Sequence, residues 1–188
     1  MKKILIVIDM LNDFCHADGV LAKDGNGNVY AEKIIPVVKE VIDENRDNDG
    51  HTIYPIDNHP EDDKEFEKFL PHAVRGTWGG LIIDEIKMFE EPHGYVIPKT
   101  RYSGFYNSKL EYTLDMLKPE LVEVVGVYTS ICVMDTVGGL SNRDYRVRVI
   151  SDGVADFDPE MHEMALKRMA NIYGAEVMTL AERNECDG

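Results

Sequence analysis

Val124-Val125-Gly126-Val127-Tyr128-Thr129-Ser130-Ile131-Cys132-Val133 is the stretch on which the fold class of this chain turns. The Val-rich run from Leu121 to Val127 reads as a buried strand, because strands covered on both faces are near-continuous in β-branched residues. Thr129 and Ser130 make a short turn, and the segment beyond them can continue as a helix. Cys132 then stands at or just inside a helix N-terminus, past the carboxyl end of a strand. Unpaired N–H groups and aligned peptide dipoles favour negative charge there, which biases a thiol toward the nucleophilic thiolate. The same cysteine also suits a role as a small buried hydrophobe, so this stretch alone assigns it no function.

Outward from this stretch, apolar runs and amphipathic segments alternate. Lys3 to Ile8 is a strand ending at Asp9, Thr52 to Ile56 one ending at Asp57, and Tyr95 to Ile97 one that leaves through Pro98 to Lys99. Arg146 to Ile150 and Ala175 to Met178 are the remaining strands. Helices are expected over Tyr30–Asn48, where Ile34, Ile35, Val38, Val41 and Ile42 recur at helical spacing, and over Leu81–Glu90, Lys109–Leu117 and about 131–143. Asp158 and Pro159 are a cap and a first helical residue, with Met161, Ala165, Met169 and Ile172 facing one way on the helix that follows. Asn58 to Gly80 has no clean period and reads as a functional loop with a little helix, and the polar tail after Ala181 reads as loose. The alternation predicts an α/β fold, a three-layer α/β/α sandwich with a mostly parallel sheet. No repeat, low-complexity segment or linker divides residues 1–188, so one domain is expected.

Composition narrows the function classes. The 188 residues are 44% hydrophobic and carry a formal net charge of −15. Nucleic acid and anionic membrane surfaces both call for basic patches, so neither is an expected partner. Three cysteines make no disulfide framework. Ile4 to Ile8 is too short for a secretory leader and is soon followed by Asp9 and Asp13, and the default compartment is the cytoplasm. Asp24-Gly25-Asn26-Gly27-Asn28 suggests a calcium loop. It lacks glycine at its sixth position (Val29) and glutamate at its twelfth (Ile35), and reads as a turn.

In open parallel sheets the ligand crevice lies at the carboxyl ends of the strands. Asp9, Asp57, Lys99 and the Cys132 turn each follow directly on an expected strand, so a base, a metal-ligand type, a cation and a nucleophile converge on one edge.

Three blocks then carry a resemblance: Asp9 with Asp13-Phe14; Lys99 with Arg101, Tyr102, Ser103 and Phe105; and Gly126 with Thr129, Cys132 and Val133. In this order and spacing they resemble the isochorismatase-like cysteine hydrolases, over the chain from the first strand to about residue 156. The resemblance implies a catalytic triad of Asp9, Lys99 and Cys132. It also implies an oxyanion hole from the N–H groups of Tyr128 and Cys132, presented by a cis peptide at Val127–Tyr128. Asp57, His59 and His72, framed by Pro71 and by Gly76-Thr77, resemble the metal loop of nicotinamidases. They imply one divalent ion (zinc, iron or manganese), with Glu65 as a weaker further ligand. Phe14, Phe69 and Tyr102 fall where the family contacts its substrate.

The activity implied is hydrolysis of a small-molecule carboxamide, nicotinamide first, and a homo-oligomer is expected because family members self-associate. Ser130 departs from the pattern, since nicotinamidases usually carry Asp there. Ser matches carbamoylsarcosine-type amidohydrolases, which keeps a carbamoyl or ureido substrate open. An isochorismatase-type vinyl-ether hydrolase or a binding module is the third reading. Cys15 is expected near the pocket edge and Cys186 in the tail without a role. His16, His51, His93 and His162 are read as ordinary surface or core residues.

Overall fold

The computed structural model describes residues 2–86 and 94–187. Within them β1 (Lys3–Ile8), β2 (His51–Asp57), β3 (Gly94–Lys99), β4 (Leu121–Val127), β5 (Val147–Ala155) and β6 (Glu176–Met178) form one sheet in the order β3-β2-β1-β4-β5-β6. Every pairing is parallel. The chain starts in the middle, walks to one edge through β3, then returns across β1 to build the other half. The order reverses between β1 and β4, and a parallel sheet opens its crevice at such a point.

Alternation along β1 shows how the layers form. Ile4, Ile6 and Ile8 point to one face, against Leu110 and Leu114 of α3 (Leu110–Leu117), Val137 and Leu140 of α4 (Met134–Ser141) and Met169 of α5 (Pro159–Asn171). Leu5 and Val7 point to the other, against Val38, Val41 and Ile42 of α2 (Ile35–Asp47) and Leu180 of α6 (Leu180–Asp187). The short α1 (Asn12–Cys15) joins the second face through Phe14. Each such side chain contributes about 1.5–3 kcal/mol on burial. The expected three-layer arrangement is what forms. Among the described residues no helix is long and apolar enough to cross a membrane.

Several boundaries differ from the expectation. The helix foreseen from Tyr30 starts at Ile35, with Pro36 in its first turn, the one place where a missing N–H costs nothing. Tyr30 and Ala31 are buried in the turn before it. Of the helix foreseen over Leu81–Glu90, the described part holds one short turn at Asp84–Ile86, and the remainder lies outside the described residues, as does His93. On α5, Ala165 and Met169 are buried but Met161 and Ile172 are exposed. Met161 lies in the first turn of α5 and Ile172 is the cap residue just past its last, so the two ends of that row leave the sheet. β5 runs five residues past Ile150, through an irregularity in its pairing with β4.

The tail is not loose. Buried Arg148 on β5 donates to Glu123 on β4 at 3.1 Å and to Asp187 at 2.9 Å, and Arg183 lies 2.5 Å from Glu44 of α2. A charge inside a sheet needs a partner, and α6 supplies it.

Gly126 sits at φ +119°, and a Cβ there would overlap the Ile8 carbonyl oxygen. Gly126→Ala is expected to lower stability by at least about 2 kcal/mol, from backbone strain and overpacking together. In a chain of this size that is roughly 4–8 °C in thermal melting. A midpoint equal to wild type would show that the strands are not packed this closely.

Candidate active site

The sheet order carries four chemical groups into one row. Lys99 ends β3, its register partner Asp57 ends β2, Asp9 follows β1, and Cys132 follows β4. All four are buried. Asp9 takes a left-handed backbone (φ +51°), uncommon outside glycine, and its N–H donates to the Pro55 carbonyl at 3.1 Å. Its Oδ1 accepts from the Asp57 N–H at 2.8 Å. The Lys99 ammonium lies 2.7 Å from Asp9 Oδ2, 2.6 Å from Asp57 Oδ1 and 3.7 Å from Cys132 Sγ. Ligand atoms of Asp9, Asp57 and Cys132 all lie within 4.8 Å of one another, and the ammonium is bonded into that group.

The proton balance follows from burial and charge. Burial and the neighbouring Asp57 carboxylate push Asp9 up to about 6, against the pull of Lys99. Burial also acts to raise Asp57, but Lys99 and His59 hold it below the usual carboxylate range. Burial disfavours the Lys99 ammonium, yet Asp57 and Asp9 outweigh that and raise it well above its ordinary value. Burial lifts Cys132 well above a normal thiol, with Lys99 opposing and Asp9 reinforcing. The resting sulfur is therefore a thiol. This differs from the thiolate bias expected at a helix N-terminus, because desolvation in a site holding two carboxylates outweighs the dipole.

The turn bearing Cys132 is one wide helical turn, Thr129–Val133, leading into α4. Its shape is set from outside. Asp156 accepts the Ser130 N–H at 2.7 Å, and His162 Nδ1 lies 2.9 Å from Thr129 Oγ1. The N–H groups of Ile131 and Val133 both go to the Tyr128 carbonyl. These bonds occupy Ser130, Ile131 and Val133 and not Tyr128 or Cys132. The Val127–Tyr128 peptide is cis.

Beside this row, ligand atoms of Asp57, His59 and His72 also lie within 4.8 Å of one another. Each histidine is oriented through its Nδ1: His59 against Asp63 at 3.0 Å, His72 against the Leu70 carbonyl at 2.7 Å. That leaves Nε2 as the inward atom, and in His59 it is buried without a hydrogen-bond partner. Two imidazoles fixed this way beside a carboxylate fit one divalent ion. Glu65 is buried nearby with an unpartnered Oε1, outside that set of three.

A cavity of about 280 Å³ opens over both groups. Cys132, Asp57, Glu65 and His72 reach it, and Phe14, Phe69, Tyr102, Tyr128 and Phe157 wall it. Sequence reasoning missed Phe157, Val20 and Leu21 as wall residues, and Asp63, Arg101 and Asp156 as supports. Arg101 grips Asp63 at 2.9 Å, which fixes the carboxylate behind His59. The one sequence signal for Phe157 was its place just before the Asp158 cap. Cys15 is not at the pocket edge: its thiol packs in the core, 3.8 Å from Met10 Sδ. Cys186 is exposed. A larger cleft of about 660 Å³ lies at the opposite end of the strands, where Lys3 pairs with Glu123 and Arg183 with Glu44.

Comparison with known proteins agrees with this layout. The family model described as the Isochorismatase domain matches residues 3–182. A nicotinamidase/pyrazinamidase of Bacillus subtilis superposes with a TM-score of 0.86 at 30% identity, covering 95% of this chain and 100% of that one. An N-carbamoylsarcosine amidase of Thermoplasma acidophilum gives 0.83 at 33% identity, covering 95% and 96%. A pyrazinamidase of Pyrococcus horikoshii solved in complex with zinc gives 0.85 at 26%, covering 96% and 100%.

Ionised Asp9 is the group placed to take the Cys132 proton, and below about pH 6 it is protonated and cannot. In a Cys186→Ser background, alkylation of Cys132 by iodoacetamide is expected to accelerate as pH rises through about 6. An independent thiol would accelerate through roughly 8.5. Asp9→Asn is expected to slow the reaction at neutral pH by about a hundredfold. A pH profile that Asp9→Asn leaves unchanged counts against the pairing.

Proposed function

The chain belongs to the isochorismatase family of hydrolases, and on that premise we propose that it is a metal-dependent cysteine amidohydrolase of small aromatic carboxamides, nicotinamide foremost. The observation that carries this reading is that Cys132 opens on the same aromatic-walled cavity as Asp57 and His72, whose ligand atoms lie within 4.8 Å of each other and of that of His59. A flat heteroaromatic ring suits such walls, and the donors stand where a ring nitrogen could be anchored while the amide meets the sulfur. The nicotinamidase/pyrazinamidase of B. subtilis and the zinc complex of P. horikoshii support it.

In this reading Asp57, His59 and His72 hold the ion, with Glu65 in reserve. Bound there, a zinc, iron or manganese ion supplies a Lewis-acid anchor for the substrate ring. The chemistry belongs to Asp9, Lys99 and Cys132. Asp9 removes the thiol proton and the sulfur attacks the amide carbon. The N–H groups of Tyr128 and Cys132 receive the oxyanion, and the Lys99 ammonium steadies the anionic charge passing between sulfur and carboxylate. Collapse breaks the C–N bond, and Asp9 returns its proton to the leaving ammonia. A water then gives a proton to Asp9 and its oxygen to the thioester carbon. The C–S bond breaks, the sulfur regains the proton, and the carboxylic acid departs. With nicotinamide the product is nicotinic acid, a step of pyridine nucleotide salvage.

Ser130 favours a second reading, a carbamoyl or ureido substrate, and the likeness to the T. acidophilum amidase accompanies it. Purified protein is expected to release ammonia from nicotinamide, to lose at least about tenfold in rate on chelation, and to be inactive as Cys132→Ala. Ammonia from a carbamoyl amino acid and none from nicotinamide would overturn the first reading in favour of the second.

A further inference from the structure

Asp13 lies outside the triad and the donor set, yet it is nine-tenths buried, and its bonds run to the loop that bears His59 and His72 and to the cavity wall. Its Oδ2 accepts the Ala73 N–H at 2.8 Å. Ala73 directly follows His72 and takes a left-handed backbone, φ +44°, which a residue with a Cβ adopts only when its surroundings impose it. The Ala73 carbonyl in turn accepts the His59 N–H at 3.1 Å. One residue held by Asp13, Ala73, is therefore bonded through its carbonyl to the backbone of one histidine and adjacent in the chain to the other. On its other side, Asp13 Oδ1 accepts the Val20 N–H at 3.4 Å, and its carbonyl accepts the Leu21 N–H at 2.9 Å. Val20 and Leu21 wall the cavity, and the Leu21 carbonyl accepts the Tyr128 hydroxyl at 2.7 Å. Gly79 packs so closely that a Cβ there would overlap the carboxylate.

We propose that Asp13 is a positioning residue for the metal donor set: through Ala73 it sets the spacing of His59 and His72, and it ties that loop to the cavity wall. The inference rests on the metal reading above. It makes the carboxylate a support one step behind the histidines, the place where loss of a partner typically weakens metal binding by about 10–100-fold.

The test is zinc affinity, by competition with a chromophoric chelator on metal-stripped protein, with thermal melting of the same stripped protein as the measure of a merely structural role. Asp13→Ala is expected to weaken zinc binding by at least about tenfold, beyond any change in stripped-protein melting. Asp13→Asn, which keeps one acceptor for Ala73, is expected to recover most of the loss. Gly79→Ala, which forces the carboxylate and its neighbour apart, is expected to reproduce the loss with Asp13 intact. If Asp13→Ala does not fold, Asp13→Asn and Gly79→Ala decide by the same comparison. Wild-type protein that binds zinc while these variants bind it within about twofold as tightly overturns the inference alone. Wild-type protein that takes up no zinc overturns the metal reading and this inference with it.

Discussion

A lysine ammonium with no exposed side-chain surface, bonded to two carboxylates, is the constraint on which the rest of the site depends. A buried ammonium without partners costs several kcal/mol, and removing one partner of a buried pair typically costs about 3–5. Lys99 meets that demand with Asp57 and Asp9 at 2.6 and 2.7 Å. Those carboxylates come from the ends of two neighbouring strands, so the ion cluster is also a register lock. A slip of one residue in β2 or β3 would turn Asp57 or Lys99 to the opposite face and leave a bare charge in the core. The sandwich and the cluster therefore specify each other.

The cluster also decides how the sulfur is kept. Two carboxylates and a desolvated thiol share one cation, so the surplus is negative and Cys132 stays protonated. Asp9 is lifted by the same crowding to about 6, close to neutral pH, where a carboxylate can both take and return a proton. A preformed thiolate would need less negative surroundings, and those would not hold Lys99. A protonated thiol beside a carboxylate that titrates near neutral pH is thus the state that the charge balance favours.

Local pattern made much of this legible. The strands declared themselves by β-branched runs, and a strand end is a position that can be read without knowing what lies beside it. Asp9, Asp57, Lys99 and Cys132 were accordingly visible as a converging set once a parallel sheet was inferred. The identity of the metal-loop residues came from resemblance, since Asn58 to Gly80 has no period to read. Contacts between distant segments were not legible. Asp13 meets Ala73 sixty positions away, Arg101 meets Asp63 across thirty-eight, and Arg183 meets Glu44 across 139. The tail looked polar and loose because its partners, Glu123 and Arg148, sit inside strands read as apolar or merely alternating. The resting state of Cys132 escaped for the same reason, since burial beside two carboxylates is a property of the assembled site.

Asp57 is where the two halves of the site meet. Its Oδ1 holds Lys99, and its Oδ2 stands 3.6 Å from His59 Nε2. Because Lys99 also binds Asp9 and reaches Cys132, Asp57 and the histidines beside it are linked to the cysteine through one chain of contacts. The cavity walls come from separate segments: Phe14, Val20, Leu21 and Lys23 from one, Glu65, Phe69 and His72 from another, then Tyr102, Tyr128 with Ile131, and Phe157. Two of those segments carry site residues themselves, His72 in one and Tyr128 in another, so the walls and the row from Lys99 to Cys132 are set together. Ser130 is not itself a wall residue: its N–H is held by Asp156 at 2.7 Å, a backbone bond that any residue other than proline would keep there.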